Sequence, residues 1–209
     1  VPIVHGMTIG EYAKMINSEG WLENGVKCDL TVVPCLNYDH NDYYKLGIKP
    51  SPNLPNSASI FLYPSLALFE GTVVSVGRGT ETPFQIIGHP NIKEGDLEFT
   101  PQSFPGAKSP KLMGQKCTGY HLKSFGESTL PKRKQLYLFW LLTMYKEINT
   151  EETSFFLSNG FFDRLAGTDK LRKQIESSLK EDEIRASWQE GLIEFKKIRS
   201  KYLLYADFE

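Results

Sequence analysis

The chain has 209 residues, with 24 Lys plus Arg against 25 Asp plus Glu and a formal net charge of −1. That balance argues against a polybasic binder of nucleic acid or membrane surfaces, and a composition 40% hydrophobic and 12% aromatic excludes a disordered chain. Three cysteines form no disulfide framework, no Cys/His spacing matches a metal site, and the apolar stretch 135–145 is shorter than the ~18 residues a membrane-spanning helix needs.

The opening Val1-Pro2-Ile3-Val4-His5 has no initiator Met, no basic leader and no signal-type apolar segment. It reads as a strand already inside a folded domain, so the chain is expected to be a piece of a longer protein. Thr8-Ile9-Gly10-Glu11 is a capping-box pattern, Tyr12, Met15 and Ile16 recur at helical spacing, and Gly20 is placed to end the helix. The β-branched run Cys28-Asp29-Leu30-Thr31-Val32-Val33-Pro34 then predicts a buried strand. Strand, helix and strand within so short a span predict one βαβ unit with parallel pairing. Cys28 and Cys35 lie too far apart along that strand to bridge, and buried free thiols are expected.

Three prolines in Pro50-Ser51-Pro52-Asn53-Leu54-Pro55 forbid regular structure and mark a boundary. A short helix is predicted over 64–69, with Pro64 near its first position and Gly71 beyond its end. Strands are predicted over 73–76 and 84–87, flanking the turn Gly77-Arg78-Gly79-Thr80. Loops with short strands follow over 90–115. From Pro131 a helix is predicted with the stripe Leu136, Trp140, Leu141, Met144 and Ile148, its first turn carrying Lys132, Arg133 and Lys134 against the helix dipole. Thr168 or Asp169 caps a further helix through Leu171 and Ile175. A last helical stretch runs from Ile184 to Tyr202, with a bend expected at Gly191.

The four histidines, His5, His40, His89 and His121, lack metal-ligand spacing and read first as hydrogen-bonded structural residues. His5 stands where a strand gives way to a helix, the place where α/β folds gather ligands. Glu11 and Glu70 are carboxylates in apolar, structured contexts and form a candidate acid and base pair of the kind glycosidases use. The structural alternative is that Glu11 completes a cap. Glu70 near a helix C-terminus opposes the dipole and calls for a partner, for which Arg78 is placed. Arg78 between two glycines suits a carboxylate or phosphate, although the spacing is not that of a P-loop. Asn53 on a rigid loop offers an amide to sugar hydroxyls, and Tyr63 and Phe84 are aromatics able to stack on a sugar ring. Core packing and ordinary turn formation are the competing readings of these residues. No serine or cysteine nucleophile motif is present.

In order, the chain carries Val4-His5-Gly6-Met7-Thr8-Ile9-Gly10-Glu11, Leu30-Thr31-Val32-Val33-Pro34, Pro50-Ser51-Pro52-Asn53-Leu54-Pro55, Phe69-Glu70-Gly71-Thr72 and Gly77-Arg78-Gly79-Thr80 with Pro83-Phe84. Gly106-Ala107-Lys108, Cys117-Thr118-Gly119 and Phe161-Phe162-Asp163-Arg164-Leu165-Ala166-Gly167 follow. This ordered set resembles the NamZ-type exo-β-N-acetylmuramidases, a family of peptidoglycan glycoside hydrolases. The resemblance implies an α/β (mixed α+β) fold: residues 1–49 as the βαβ end of a Rossmann-like catalytic domain, and residues 50–209 as an auxiliary domain with a mixed sheet and C-terminal helices. It implies that the catalytic glutamate lies in an N-terminal domain missing from this chain, so neither Glu11 nor Glu70 takes that role by resemblance and the chain alone is expected to be inactive. Arg78 would bind the lactyl carboxylate of N-acetylmuramic acid, with Asn53, Glu70, His5, Tyr63 and Thr80 around the sugar. No cofactor or metal is expected, the partner is a peptidoglycan-derived saccharide, and the place of action is the periplasm or cell surface, with cytoplasmic recycling as the other possibility. Val73 and Val76 depart from the family pattern, as does Tyr38-Asp39-His40. The alternative is a non-catalytic module that binds peptidoglycan or sugar.

Overall fold

A computed structural model describes residues 1–44 and 46–208. In chain order the elements are α1 (Ile9–Ser18), α2 (Ser57–Leu66), β1 (Ile86–His89), β2 (Leu97–Phe99), β3 (Cys117–His121), α3 (Lys123–Ser128), α4 (Leu130–Arg133), α5 (Phe139–Ile148), α6 (Phe161–Ala166), α7 (Lys170–Glu176), α8 (Glu181–Ala186) and α9 (Gln189–Arg199). This is the mixed α/β class expected. The chain divides into two compact units, Val1–Tyr44 with Arg185–Glu209, and Lys45–Ile184. The boundary expected at 49/50 would leave 185–209 in the second domain, whereas that segment groups with the opening residues. Among the described residues no helix is long and apolar enough to cross a membrane.

In the first unit α1 begins as its pattern predicts. Thr8 N–H donates to the Glu11 carboxylate at 2.7 Å and Glu11 N–H donates to the Thr8 hydroxyl at 3.4 Å, satisfying two orphan donors at once. Gly20, at φ +72°, follows the helix end. The predicted strand over 28–34 is not one. It pairs with no strand among the described residues, and neither does 1–5. The Asn17 side chain holds Cys28 through both its N–H and its C=O, at 2.9 and 3.0 Å, and Val32 packs against Gly10 of α1. A ladder requires a neighbour offering N–H and C=O groups in register, and none of the described segments supplies one. Burial fails with it: Val33 and Leu36 are 86% and 87% exposed, and Cys28 and Cys35 are exposed free thiols rather than buried ones.

The end of the chain completes this unit. Arg199 is buried, its guanidinium on Asp207 at 2.6 and 2.7 Å and on the Gly6 carbonyl at 2.7 and 3.1 Å. Leu204 N–H donates to Glu11 at 2.7 Å and His40 N–H to the Ala206 carbonyl at 3.0 Å. α9 passes through Gly191 unbroken; the interruption falls before it, between α8 and α9.

The second unit is built on a three-stranded antiparallel sheet of order β1-β3-β2, with Ile87 opposite Tyr120 and Glu98 opposite Thr118. The sheet is antiparallel throughout rather than mixed. Residues 73–76 form no named strand; Ser75 makes a single bridge to Gly88. The helix expected over 64–69 starts earlier. Asn56 caps α2, its amide oxygen taking Ser59 N–H at 3.1 Å, so Pro64 sits in the last turn instead of the first. A 3₁₀ turn, Ala67–Gly71, continues it. Gly71 lies so close to Phe162 of α6 that an added Cβ would come within 2.4 Å of the Phe162 Cα. Phe69, Phe155, Phe162, Leu62, Leu66 and Ile87 form the fully buried centre.

The helix predicted from Pro131 is two helices. Lys134 adopts a left-handed conformation, φ +46°, and ends α4. Lys132 and Arg133 therefore occupy a last turn, where positive charge is favoured rather than opposed. Leu141, Met144 and Ile148 then seal α5 onto the core. α6 and α7 are joined by Arg172, which binds Asp163 at 2.9–3.1 Å and Glu176 at 3.1 Å. Asp169 precedes α7 without capping it through its side chain; the Thr168 hydroxyl takes Lys170 N–H instead.

Candidate functional site

The turn after Val76 is shaped by two glycines with left-handed backbone, Gly77 at φ +75° and Gly79 at φ +83°. A Cβ on Gly79 would lie 2.5 Å from the Gln102 carbonyl, so neither the angle nor the space admits a side chain. Thr80 closes the turn. Its hydroxyl donates to the Gly77 carbonyl at 2.7 Å and accepts Thr82 N–H at 3.1 Å.

Arg78 projects from this turn onto a cavity of about 310 Å³, at the low end of the ~300–1,000 Å³ usual for small-molecule sites. Its Nη1 donates to the Glu70 carboxylate at 2.9 Å, and the two side chains keep 38% and 26% of their exposure. The partner that the helix-dipole argument asked of Glu70 is thus Arg78. The rest of the guanidinium is poorly satisfied. Nη2 reaches the Gly106 carbonyl only at 3.4 Å, and Nε is buried with no hydrogen-bond partner among the described residues. The Asn53 amide donates to the same Gly106 carbonyl at 2.9 Å, which brings Asn53 to the neighbourhood of Arg78.

The third charge on the cavity is Lys111, which the sequence reading does not single out. Its ammonium donates to three backbone carbonyls, those of Phe69 at 2.9 Å, Val74 at 3.1 Å and Thr72. Burial depresses its pKa to about 8; Glu70 acts to restore it and Arg78 to lower it further. Ser75 and Ser109 add hydroxyls to the lining, and Val74, Val76 and Pro110 add an apolar wall. His89 on β1 is held below its ordinary pKa, first by burial and then by the Lys111 charge.

The other sequence candidates lie elsewhere. Tyr63 is half exposed and packs edge-on against buried Phe84, ring centroids 5.0 Å apart; neither ring lines the cavity. His5 belongs to the first unit, where its Nδ1 accepts Met7 N–H at 3.2 Å and its ring lies 5.1 Å from Tyr12. Burial, the Arg199 charge and the chain's amino group all lower its pKa. Glu11 is fully buried in the same unit, and its oxygens take Thr8 N–H, the Thr8 hydroxyl, His40 and Leu204 N–H. Burial pushes its pKa up, but these donors outweigh it and hold the carboxyl below its usual range. So engaged, Glu11 has structural work that a general acid would have to abandon. No group of three or more His, Cys, Asp or Glu able to hold a metal occurs among the described residues.

Known proteins share both parts of this chain. The profile described as Exo-beta-N-acetylmuramidase NamZ, N-terminal, matches residues 1–58, and its C-terminal counterpart matches residues 61–205. The chain belongs to the NamZ family. It is 37% identical to the peptidoglycan beta-N-acetylmuramidase NamZ of Bacillus subtilis (strain 168), an alignment covering 98% of this chain and 51% of that protein. The crystal structure of a DUF1343 family protein from Bacteroides fragilis NCTC 9343 superposes with a TM-score of 0.89 at 47% identity, over 96% of this chain and 56% of that one. A second DUF1343 family structure from the same organism, at TM-score 0.70 and 20% identity, shares the fold. The chain thus spans about half the length of these relatives. Glu70, Arg78 and Lys111 all fall within the NamZ C-terminal match, while His5, Glu11 and Asn53 fall within the N-terminal one.

Proposed function

We propose that this chain is part of a glycoside hydrolase that releases N-acetylmuramic acid from the non-reducing ends of peptidoglycan fragments, and that it supplies one wall of the sugar site. The observation that carries the reading is the cavity on which Arg78 stands with an incompletely satisfied guanidinium, in a member of the NamZ family. An arginine fork matches a carboxylate, and the lactyl carboxylate is what separates N-acetylmuramic acid from N-acetylglucosamine. Glu70 orients Arg78, and the Ser75 and Ser109 hydroxyls take the sugar's polar groups. Asn53 and Thr80 lie outside the lining and shape the loops around Arg78. The general acid is assigned to the portion of the protein that precedes this chain. That portion is also the cover for the exposed apolar residues of 26–36 in the first unit. Peptidoglycan as substrate favours the periplasm or the cell surface as the place of reaction.

The test uses the full-length protein and a chromogenic N-acetylmuramide. Release of N-acetylmuramic acid is expected; a correctly folded protein that releases none but binds the sugar would instead be a binding module. Replacing Arg78→Ala is expected to weaken N-acetylmuramic acid binding about 10- to 100-fold, since a charged hydrogen bond contributes ~1.5–3 kcal/mol, and to leave N-acetylglucosamine binding nearly unchanged. Equal loss for both sugars would assign Arg78 to the scaffold.

A further inference from the structure

Arg78 alone does not make the cavity attractive to an anion. Glu70 sits on it at 2.9 Å, so the pair is neutral as a unit, and an incoming carboxylate meets the Glu70 charge as well as the Arg78 charge. The lining holds one further ionisable group, Lys111, which brings the sum to one positive charge. From this we infer that Lys111 is a specificity-determining residue: it sets the sign of the cavity and makes the site select an anionic sugar over its neutral counterpart. The inference rests on the cavity being the sugar site.

The geometry gives Lys111 a structural role and a charge on the cavity at once. The three carbonyls that accept from Lys111 belong to the segment 69–74, which carries Glu70 itself. The ammonium therefore fixes the chain that presents Glu70 to Arg78 and places its own charge beside that pair. The groups that act on it are Glu70 from the 3₁₀ turn and Arg78 from the glycine turn, and it acts in turn on His89 of β1. Lys111 changes charge near pH 8. His89 is neutral there because its pKa is already depressed. A bound carboxylate stabilises the ammonium, so by linkage anion binding is strong while Lys111 is protonated and weakens once the pH passes about 8.

The experiment measures binding of N-acetylmuramic acid and of N-acetylglucosamine by calorimetry from pH 6.5 to 9.5, on the wild-type protein, Lys111→Met, Lys111→Arg and Arg78→Ala. Wild type is expected to lose about tenfold in affinity for the acidic sugar between pH 7 and 9.5, with a flat profile for the neutral one. Lys111→Arg should keep the affinity and lose the pH dependence, because its charge is permanent. Lys111→Met should bind the acidic sugar as weakly at pH 7 as wild type does at pH 9.5. Because Lys111→Met orphans three carbonyls and can fail to fold, the wild-type and Lys111→Arg profiles decide the question by themselves. A flat wild-type profile together with lost anion preference in Arg78→Ala overturns the role of Lys111 and leaves the cavity as the site. Anion binding that neither Arg78→Ala nor the lysine variants alter overturns the reading of the cavity itself.

Discussion

At the residue scale, Lys111 also reports on stability. Its folded-state pKa of about 8 lies below the ~10.4 of an unfolded lysine, so the folded chain releases this proton first. Between those two values the unfolded state binds more protons, and stability contributed at this site rises with pH. The stability of wild type relative to Lys111→Met, from urea unfolding, should therefore increase from pH 8 to pH 10; an unchanging difference would mean that burial does not shift the group. Lys111 is hidden in the sequence for a physical reason. Its carbonyl partners lie 37 to 42 positions away, and a lysine in a proline- and glycine-rich stretch gives no local sign of what it will meet. The Thr8–Glu11 box is legible because both partners lie within one turn. The Glu70–Arg78 pair is legible because a carboxylate set against a helix dipole needs a cation nearby.

At the element scale, local chemistry marks the start of α1 but not that of α2. The α1 cap is where the pattern puts it. α2 begins at a second capping pair, Asn56 and Ser59, which the proline-rich stretch before it masks, so that Pro64 reads as a beginning although it stands near an end. Asn56 also donates to the Gln85 side chain at 2.9 Å, tying the helix start to the loop before β1. Replacing Asn56→Ala is expected to cost about 0.5–2 kcal/mol for the cap, and it removes the hydrogen bond to Gln85 as well; the readout is a lower denaturation midpoint at constant m-value. β3 is hard to see in the sequence because Thr118-Gly119-Tyr120 lacks apolar alternation; its glycine is instead required by the close approach of the Ile87 carbonyl, 1.8 Å from any added Cβ. The run 28–34 shows the opposite failure. Strand composition describes a surface that suits pairing, but a partner must still be supplied from elsewhere.

At the scale of the whole molecule, that missing partner becomes a prediction. Leu30, Val33 and Leu36 expose apolar surface within one short stretch of a chain spanning about half its relatives. If the preceding portion covers them, backbone amides of 28–34 should exchange with deuterium at least tenfold more slowly in the full-length protein than in the 209-residue chain. Equal exchange in both would leave the stretch uncovered and remove that part of the proposal. The position of the glycine turn is readable from pattern alone, whereas the parallel βαβ unit that the pattern predicts over the opening residues is absent among the described residues, and the mixed α/β class follows from the family resemblance. The membership of 185–209 is not readable from pattern, because it depends on contacts such as Arg199 to Gly6 that span nearly the full chain.

Those contacts dictate an order of events during synthesis. The second unit is contiguous and can collapse as soon as Ile184 clears the ribosome. The first unit has its opening segment made earliest and its closing segment made last, so Glu11 and the Gly6 carbonyl wait without their partners until Leu204 and Arg199 emerge. A translation product ended before Arg199 would accordingly carry the 45–184 unit with Arg78 and Lys111, while Glu11 and the Gly6 carbonyl lack Leu204 and Arg199.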